Sequence, residues 1–414
     1  MKKITEPRYM YSLLILSWLV YFVGYIARLD YGAVMVEIIH SEGVSRSLTG
    51  LISTGASLTY ALGQIASGFL GDRFSPRYVM FSGLVATAAC NLLMPFVSSA
   101  HLQLLVWCAN GFAQAMLWPP MLRIFTEYYR EADLSKMYVR VSTSNTAGTI
   151  AVYLLASFCI AVSDWRTVFY VSSALGFLTA IAWLFGMDRI EKHREAYGIP
   201  EAKEACSDSE TKPALTITAL ARAGIFFMAG AILLHGILKD SVTTWMPTLI
   251  RDTYNLGSAA SILSTVIMPV FSMLCLYFAS FLNNRVFRNE ATTSSVLYGF
   301  AAVGSIGIRI FSGRSPFLSL LFGTIITSAM YGTNLMLITA VPAHFSRYGR
   351  ASTLTGVLNA FTYAGSAIST YGVGALSEQY GWNASLLIWM VAATVGAVLS
   401  VFSVRPWTRF LHTK

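Results

Sequence analysis

The feature that most limits this chain is a succession of long apolar runs, at about 10–38, 47–71, 77–97, 102–125, 137–162, 165–186, 224–248, 259–282, 293–311, 316–344, 351–377 and 384–404. Each is long enough to cross a hydrocarbon core of about 30 Å, which takes roughly 20 predominantly apolar residues in a helix. Twelve helices of about 25 residues would use about 300 residues and leave the rest of the 414 for loops and tails. Charged residues make up 12% of the chain, against about 25% in soluble domains. These observations exclude disordered, fibrous and ordinary cytosolic classes. They predict an all-α membrane protein of twelve transmembrane helices in two pseudo-symmetric six-helix bundles.

The rhythm breaks once. The stretch MDRIEKHREAYGIPEAKEACSDSETKP is the one long charged segment and separates six runs from six. It divides the chain into an N-terminal bundle (1–186), a cytoplasmic linker (187–223) and a C-terminal bundle (224–414). The side that holds both termini and the linker carries 21 Lys and Arg, whereas the opposite side has Arg46, Arg166, Arg251, Arg314 and Arg309. Cytoplasmic loops hold such an excess, so both termini are expected in the cytoplasm. The net charge of +9 is spread singly between apolar runs rather than gathered with aromatic residues, so topology explains it and nucleic acid is not an expected partner. Met1 to Arg8 leads directly into a run too long for a signal h-region, and the first helix is expected to be retained. Five cysteines form no CxxC pair, and neither a disulfide framework nor a metal site is expected.

Two offsets argue for an internal repeat. Gly71-Asp72-Arg73 followed by Arg77 matches Asn283-Asn284-Arg285 followed by Arg288, with Arg73 and Arg285 212 residues apart. The intramembrane cations Arg28 and Lys239 are 211 apart. A duplicated unit would place them at equivalent positions, facing each other where transporters of repeated architecture bind substrate. A charge inside a span costs at least about 2.5–3.5 kcal/mol on insertion scales. Tyr21, Tyr25 and Arg28 follow an i, i+4, i+7 spacing and share one helical face, which sets two hydroxyls beside a guanidinium. Structural ion pairing is the alternative for each cation: Arg28 with Asp30 or backbone carbonyls, Lys239 with an acid or by snorkelling. An Arg and a Lys with no matching pair of carboxylates suit a phosphate or a carboxylate, so the expected substrate is a small anion.

The run Gly68-Phe69-Leu70-Gly71-Asp72-Arg73-Phe74-Ser75-Pro76-Arg77 resembles the loop signature of the major facilitator superfamily, and its DR-x-x-PR ending is similar to that of the organophosphate:phosphate antiporter family. Tyr25-x-x-Arg28, Trp118-Pro119-Pro120-x-x-Arg123, Lys239 with Trp245-x-Pro247-Thr248, Val286-Phe287-Arg288 and Gly381-Trp382 agree in order and spacing. The resemblance implies exchange of a phosphorylated metabolite for inorganic phosphate by a rocking of two bundles. It assigns Arg28 and Lys239 to the phosphoryl group, with Tyr21 and Tyr25 beside them, and gives Asp72, Arg73, Arg77 and Arg123 gating or structural roles. Two departures stand out. The helix 7 cation is commonly Arg in that family, and Ser144, followed by a matching Asn145, stands where glycerol-phosphate carriers have a His. Lys is a point charge where Arg is a fork, so phosphate geometry can differ.

Other polar residues within spans are paired on helical faces: Asn110 with Gln114, Tyr331 with Asn334, Asn359 with Tyr363. Interhelical hydrogen bonding is their ordinary role; Asn359 and Tyr363 are carried as substrate-binding candidates together with Ser144 and Asn145. The reading is therefore a monomeric carrier in a bacterial inner membrane, in contact with lipid, which takes an organophosphate or phosphate and needs no cofactor. It is not an enzyme, for the chain has no P-loop, HExxH or nucleophile elbow. The rival readings are a proton-coupled symporter of organic carboxylates, with Asp30 and Asp240 as titratable candidates, and a sugar-phosphate sensor that does not transport.

Overall fold

Lipid offers no partner to a bare peptide group, so an apolar run that crosses it must satisfy its own N–H and C=O groups, and a helix does so. The computed structural model describes residues 2–4, 6–200, 216–348 and 351–412, and their regular structure is helical apart from one two-stranded pair. In the first part of the chain the helices are α1 (Pro7–Ser41), α2 (Arg46–Arg73), α3 (Pro76–Leu93), α4 (Ala100–Ala115), α5 (Trp118–Tyr128), α6 (Glu131–Val162) and α7 (Arg166–Tyr197). In the second part come α8 (Ile217–Arg222), α9 (Ile225–Tyr254), α10 (Ser258–Thr265), α11 (Ile267–Phe281), α12 (Glu290–Phe311), α13 (Pro316–Asn334), α14 (Val341–Ala343), α15 (Ala351–Tyr380) and α16 (Trp382–His412).

Among the described residues, nine helical stretches are long and apolar enough to cross a membrane. The other three expected spans fall on α2, on α4 with α5, and on α15. Two of these are rich in Gly, Ser and Thr, and the third is interrupted at Trp118-Pro119-Pro120. The linker starts later than its composition suggests. α7 runs on through Met187–Tyr197, where polar helix-forming residues replace the apolar ones and Lys192 pairs with Asp188 one turn away at 2.7 Å.

The chain divides into two compact units, one built from Met1–Glu42 and Gly55–Ser207, the other from Gly43–Thr54 and Asp208–Lys414. In the first, α1 packs on α6 and α7, and α3 on α7 and α4. Met80, Met121, Phe125, Tyr129 and Trp183 are fully buried in its core. The residues before α1 are tied down. β1 (Lys2–Lys3) pairs antiparallel with β2 (Ile199–Pro200), the Ile4 N–H donates to Tyr128 O at 2.9 Å, and Lys3 Nζ donates to Thr126 O at 2.5 Å. Gly148 of α6 lets that helix meet α1 at backbone distance, since a Cβ there would come within 2.7 Å of Tyr25 Cβ and 2.8 Å of Phe22 O.

In the second unit, α9 packs on α15, α16 and α13, and α12 on α13 and α16. Gly236 and Gly365 make the α9–α15 contact reciprocal: added Cβ atoms would meet Thr362 O at 2.1 Å and Leu233 O at 2.0 Å. Small residues at such crossings replace a hydrophobic driving force, which lipid does not supply, by close dispersion contact. The first turns of α2 belong to this unit. Arg46 pairs with Asp252 at 2.5 Å and donates to Ser377 O at 2.9 Å, and the Ser47 N–H donates to Glu378 at 3.0 Å.

Candidate functional site

The face predicted for α1 exists. Tyr21, Gly24, Tyr25 and Arg28 line one recess, completed by Tyr60 of α2 and by Gln114 and Leu117 at the break between α4 and α5. Its cavity volume is about 10 Å³, room for about one water molecule. Among the described residues, this lining holds a single charge, the Arg28 cation, and no carboxylate.

Aromatic rings surround the guanidinium. Arg28 Cζ lies 3.7 Å from the centre of the Tyr60 ring and 5.9 Å from that of Tyr25. The Tyr25 ring is 6.0 Å from Tyr21, whose other neighbour is Trp118 at 4.9 Å. The string Trp118–Tyr21–Tyr25–Arg28–Tyr60 thus joins the proline motif of the fourth apolar run to the cation of the first.

That motif shapes the wall directly. Pro119 and Pro120 have no N–H to offer the carbonyls of Ala115 and Met116, so the helix cannot continue through them. The chain tightens instead, with Met116 N–H bonded to Ala113 O at 3.1 Å and Leu117 N–H to Gln114 O at 3.3 Å. Gln64 Nε2 donates to Ala115 O at 3.4 Å and takes the place of the missing donor. Gln114 donates to Gly24 O at 3.1 Å, Asn110 to Ala27 O at 3.0 Å, and Asn91 to the same oxygen at 3.1 Å. Three amides therefore pin the α1 backbone at Gly24 and Ala27, the residues directly before Tyr25 and Arg28. Asp30 is fully buried, accepts the Tyr31 N–H at 2.8 Å and takes no part in the recess lining.

Lys239 has different surroundings. Its Nζ lies 3.3 Å from Asp240 Oδ1 and 5.6 Å from the centre of the Tyr331 ring. Tyr331 and Asn334 end α13, and a π-helical turn at Leu335–Ala340 follows; such turns are frequent at functional sites. His235, one turn before Lys239, is fully buried. On α15, Asn359 and Tyr363 are half-buried.

The remaining candidates are dispersed. Ser144 is fully buried and its hydroxyl donates to Val141 O at 2.5 Å, within its own helix. Asn145 is half-buried, with Oδ1 out of solvent and without a hydrogen-bond partner among the described residues. Neither belongs to the recess lining. Arg77 is held at the end of α7 by Glu191 at 2.8 Å, Asp188 at 3.4 Å and Leu184 O at 2.8 Å, while Trp183 Nε1 donates back to Arg77 O. Arg123 pairs with Glu127 one turn on at 2.6 Å, and Arg73 is exposed. The side chain of Asp72 lies outside the described residues. Arg140 is exposed, with its guanidinium 5.7 Å from the Tyr11 ring. Tyr60 escaped the sequence reading because an aromatic residue inside an apolar run gives no signal by itself; only its contact with Arg28 singles it out.

Comparison with known proteins follows the same lines. The family model described as Major Facilitator Superfamily matches residues 13–370. A probable hexose phosphate transport protein of Chlamydia trachomatis is 22% identical over 91% of this chain and 88% of its own length. The membrane sensor protein UhpC of Escherichia coli is 22% identical over 95% of this chain and 92% of its own, and a glycerol-3-phosphate transporter of Bacillus subtilis 22% identical over 93% and 90%. Among solved structures, a bacterial homologue of the human lysosomal transporter Spinster superposes with a TM-score of 0.76 at 15% identity, covering 99% of this chain and 97% of that one. At that identity the likeness establishes the fold alone.

Proposed function

The chain belongs to the major facilitator superfamily and is a secondary transporter that moves a small organic solute by alternating access, not an enzyme; from that premise we propose that its solute is a small phosphorylated organic anion, exchanged for inorganic phosphate. The observation that carries this reading is the recess in which, among the described residues, Arg28 is the charge in the lining and sits among Tyr21, Tyr25 and Tyr60. A cavity of this character attracts an anion, and a guanidinium can give two parallel N–H donors to phosphoryl oxygens. The 211-residue offset supports Lys239 as a second cation for the same anion, and the likeness to a probable hexose phosphate transport protein and a glycerol-3-phosphate transporter supports the same cargo. The proposed frame is twelve crossings in two six-helix bundles, as a monomer in a bacterial inner membrane with both termini cytoplasmic.

Direct binding tests the cargo. Purified protein should be thermally stabilised by inorganic phosphate, and phosphorylated three- to six-carbon compounds should compete with it. If neither phosphate nor any such ester binds while a simple carboxylate does, the cargo is a carboxylate, and the buried Asp30 and the Asp240 beside Lys239 become the proton-coupling candidates. A second reading has one observation in its favour: a membrane sensor protein aligns over 95% of this chain. In that reading a sugar phosphate binds without being exchanged.

A further inference from the structure

We propose that the seam between the first turns of α2 and the last turns of α15, clamped by Arg46, is a gate on the side of the membrane reached by the C-terminus of α1. It is closed in this structure and parts when the solute passes on that side. The inference rests on alternating access alone and holds whatever the cargo is.

The seam is built from one face of each helix. On α2, Arg46, Gly50 and Thr54 follow an i, i+4, i+8 spacing, and they meet Ser377, Gly374, Thr370 and Ala367 of α15 in antiparallel order. Gly50 and Gly374 let the backbones approach, since added Cβ atoms would come within 2.7 Å of Thr370 O and of Arg46 O. Thr54 Oγ1 donates to Ala367 O at 3.1 Å. Arg46 joins three further points: Nη2 pairs with Asp252 in the last turn of α9, Nη1 donates to Ser377 O, and the guanidinium lies 5.0 Å from the centre of the Trp382 ring, which begins α16. Trp382 Nε1 donates to the same Asp252 at 3.1 Å, and Glu378 accepts from both the N–H and the hydroxyl of Ser47.

By sequence α2 belongs to the first repeat and α15 to the second, and alternating access rocks one repeat against the other. A joint between them has to open in one of the two states. The division into compact units follows the joint: residues 43–54 group with the second unit, and the helix passes to the first at Gly55, directly after the last seam contact. The chemistry suits repeated opening. The side chains of Arg46 and Asp252 are 24% and 22% exposed, and bonds at such a boundary are exchanged for bonds to water at small net cost. The first turn of α2 does not depend on the seam, because Ser45 Oγ accepts the Leu48 N–H at 3.2 Å within the same segment.

The test uses the full-length protein with its five natural cysteines replaced by serine and Thr54→Cys as a reporter, a position 8% exposed within the seam. Arg46→Gln should speed alkylation of the reporter by a maleimide about 5- to 50-fold, and Asp252→Asn, which removes the ion pair alone, about two- to fivefold. Parent-like rates in both would overturn the inference, and if Arg46→Gln fails to fold, Asp252→Asn decides. A cross-link separates a gate from mere packing. Ser47→Cys with Glu378→Cys, joined by a reducible bis-thiosulfonate reagent, should lose phosphate exchange and regain it on reduction. Undiminished exchange across the joined seam would mean a joint that never opens, and would overturn the inference even where alkylation is faster. If the parent exchanges no phosphate, the cargo reading falls and the alkylation rates decide the gate by themselves.

Discussion

Arg28 and Lys239 stand 211 residues apart in a repeated pattern, yet each unit surrounds its cation in a different way. Arg28 lies against the face of Tyr60 at 3.7 Å, in a recess whose lining includes no acid among the described residues. Lys239 Nζ lies 3.3 Å from Asp240 Oδ1 and 5.6 Å from the centre of the Tyr331 ring. A ring face leaves a positive charge whole, whereas a carboxylate shares it. In the proposed function both cations meet the anion, and Asp240 competes with it for Lys239.

Substitutions at the two positions can break this comparison. The largest effect is expected from Arg28→Lys, which keeps the charge and removes the fork; it should abolish most exchange and reduce phosphate binding more than any substitution at Lys239. Lys239→Ala removes one charge-assisted contact worth roughly 1.5–3 kcal/mol, so the dissociation constant for phosphate should rise about ten- to a hundredfold by thermal-shift titration. Parent-like binding in both variants would make the two residues structural ions. Lys239→Arg restores a fork beside Asp240 and should retain substantial exchange in a transport assay. Asp240→Asn is the finest test: removing the competing carboxylate should tighten phosphate binding about two- to fivefold, the scale of a partly exposed ion pair. Weaker binding in Asp240→Asn would mean that Asp240 orients Lys239 rather than competes for it.

The fold class and the Arg28 site were legible to different depths. Apolar run length requires helices wherever lipid must be crossed, and the i, i+4, i+7 spacing placed Tyr21, Tyr25 and Arg28 on one face because helical geometry is fixed by the backbone. Tyr60 and the tie from Gln64 to Ala115 were not legible. Both are contacts between helices remote in sequence, and a single tyrosine or glutamine in a span has many equivalent uses. The extension of α7 to Tyr197 was missed for a related reason: hydropathy marks where the lipid ends, whereas a helix with polar i, i+4 support continues into water. The Ser144 position shows the limit of carrying a role across a resemblance, since its hydroxyl is bonded within α6 to Val141.

The account turns on whether the chain exchanges phosphorylated anions. The decisive measurement is release of labelled phosphate from liposomes that contain the purified protein, with external phosphate, phosphate esters and simple carboxylates added in turn. External phosphate and at least one three- to six-carbon phosphate ester should drive release, and Arg28→Lys should remove most of it. Release driven by no phosphorylated compound, with a carboxylate instead accumulating along a proton gradient, would contradict the central claim.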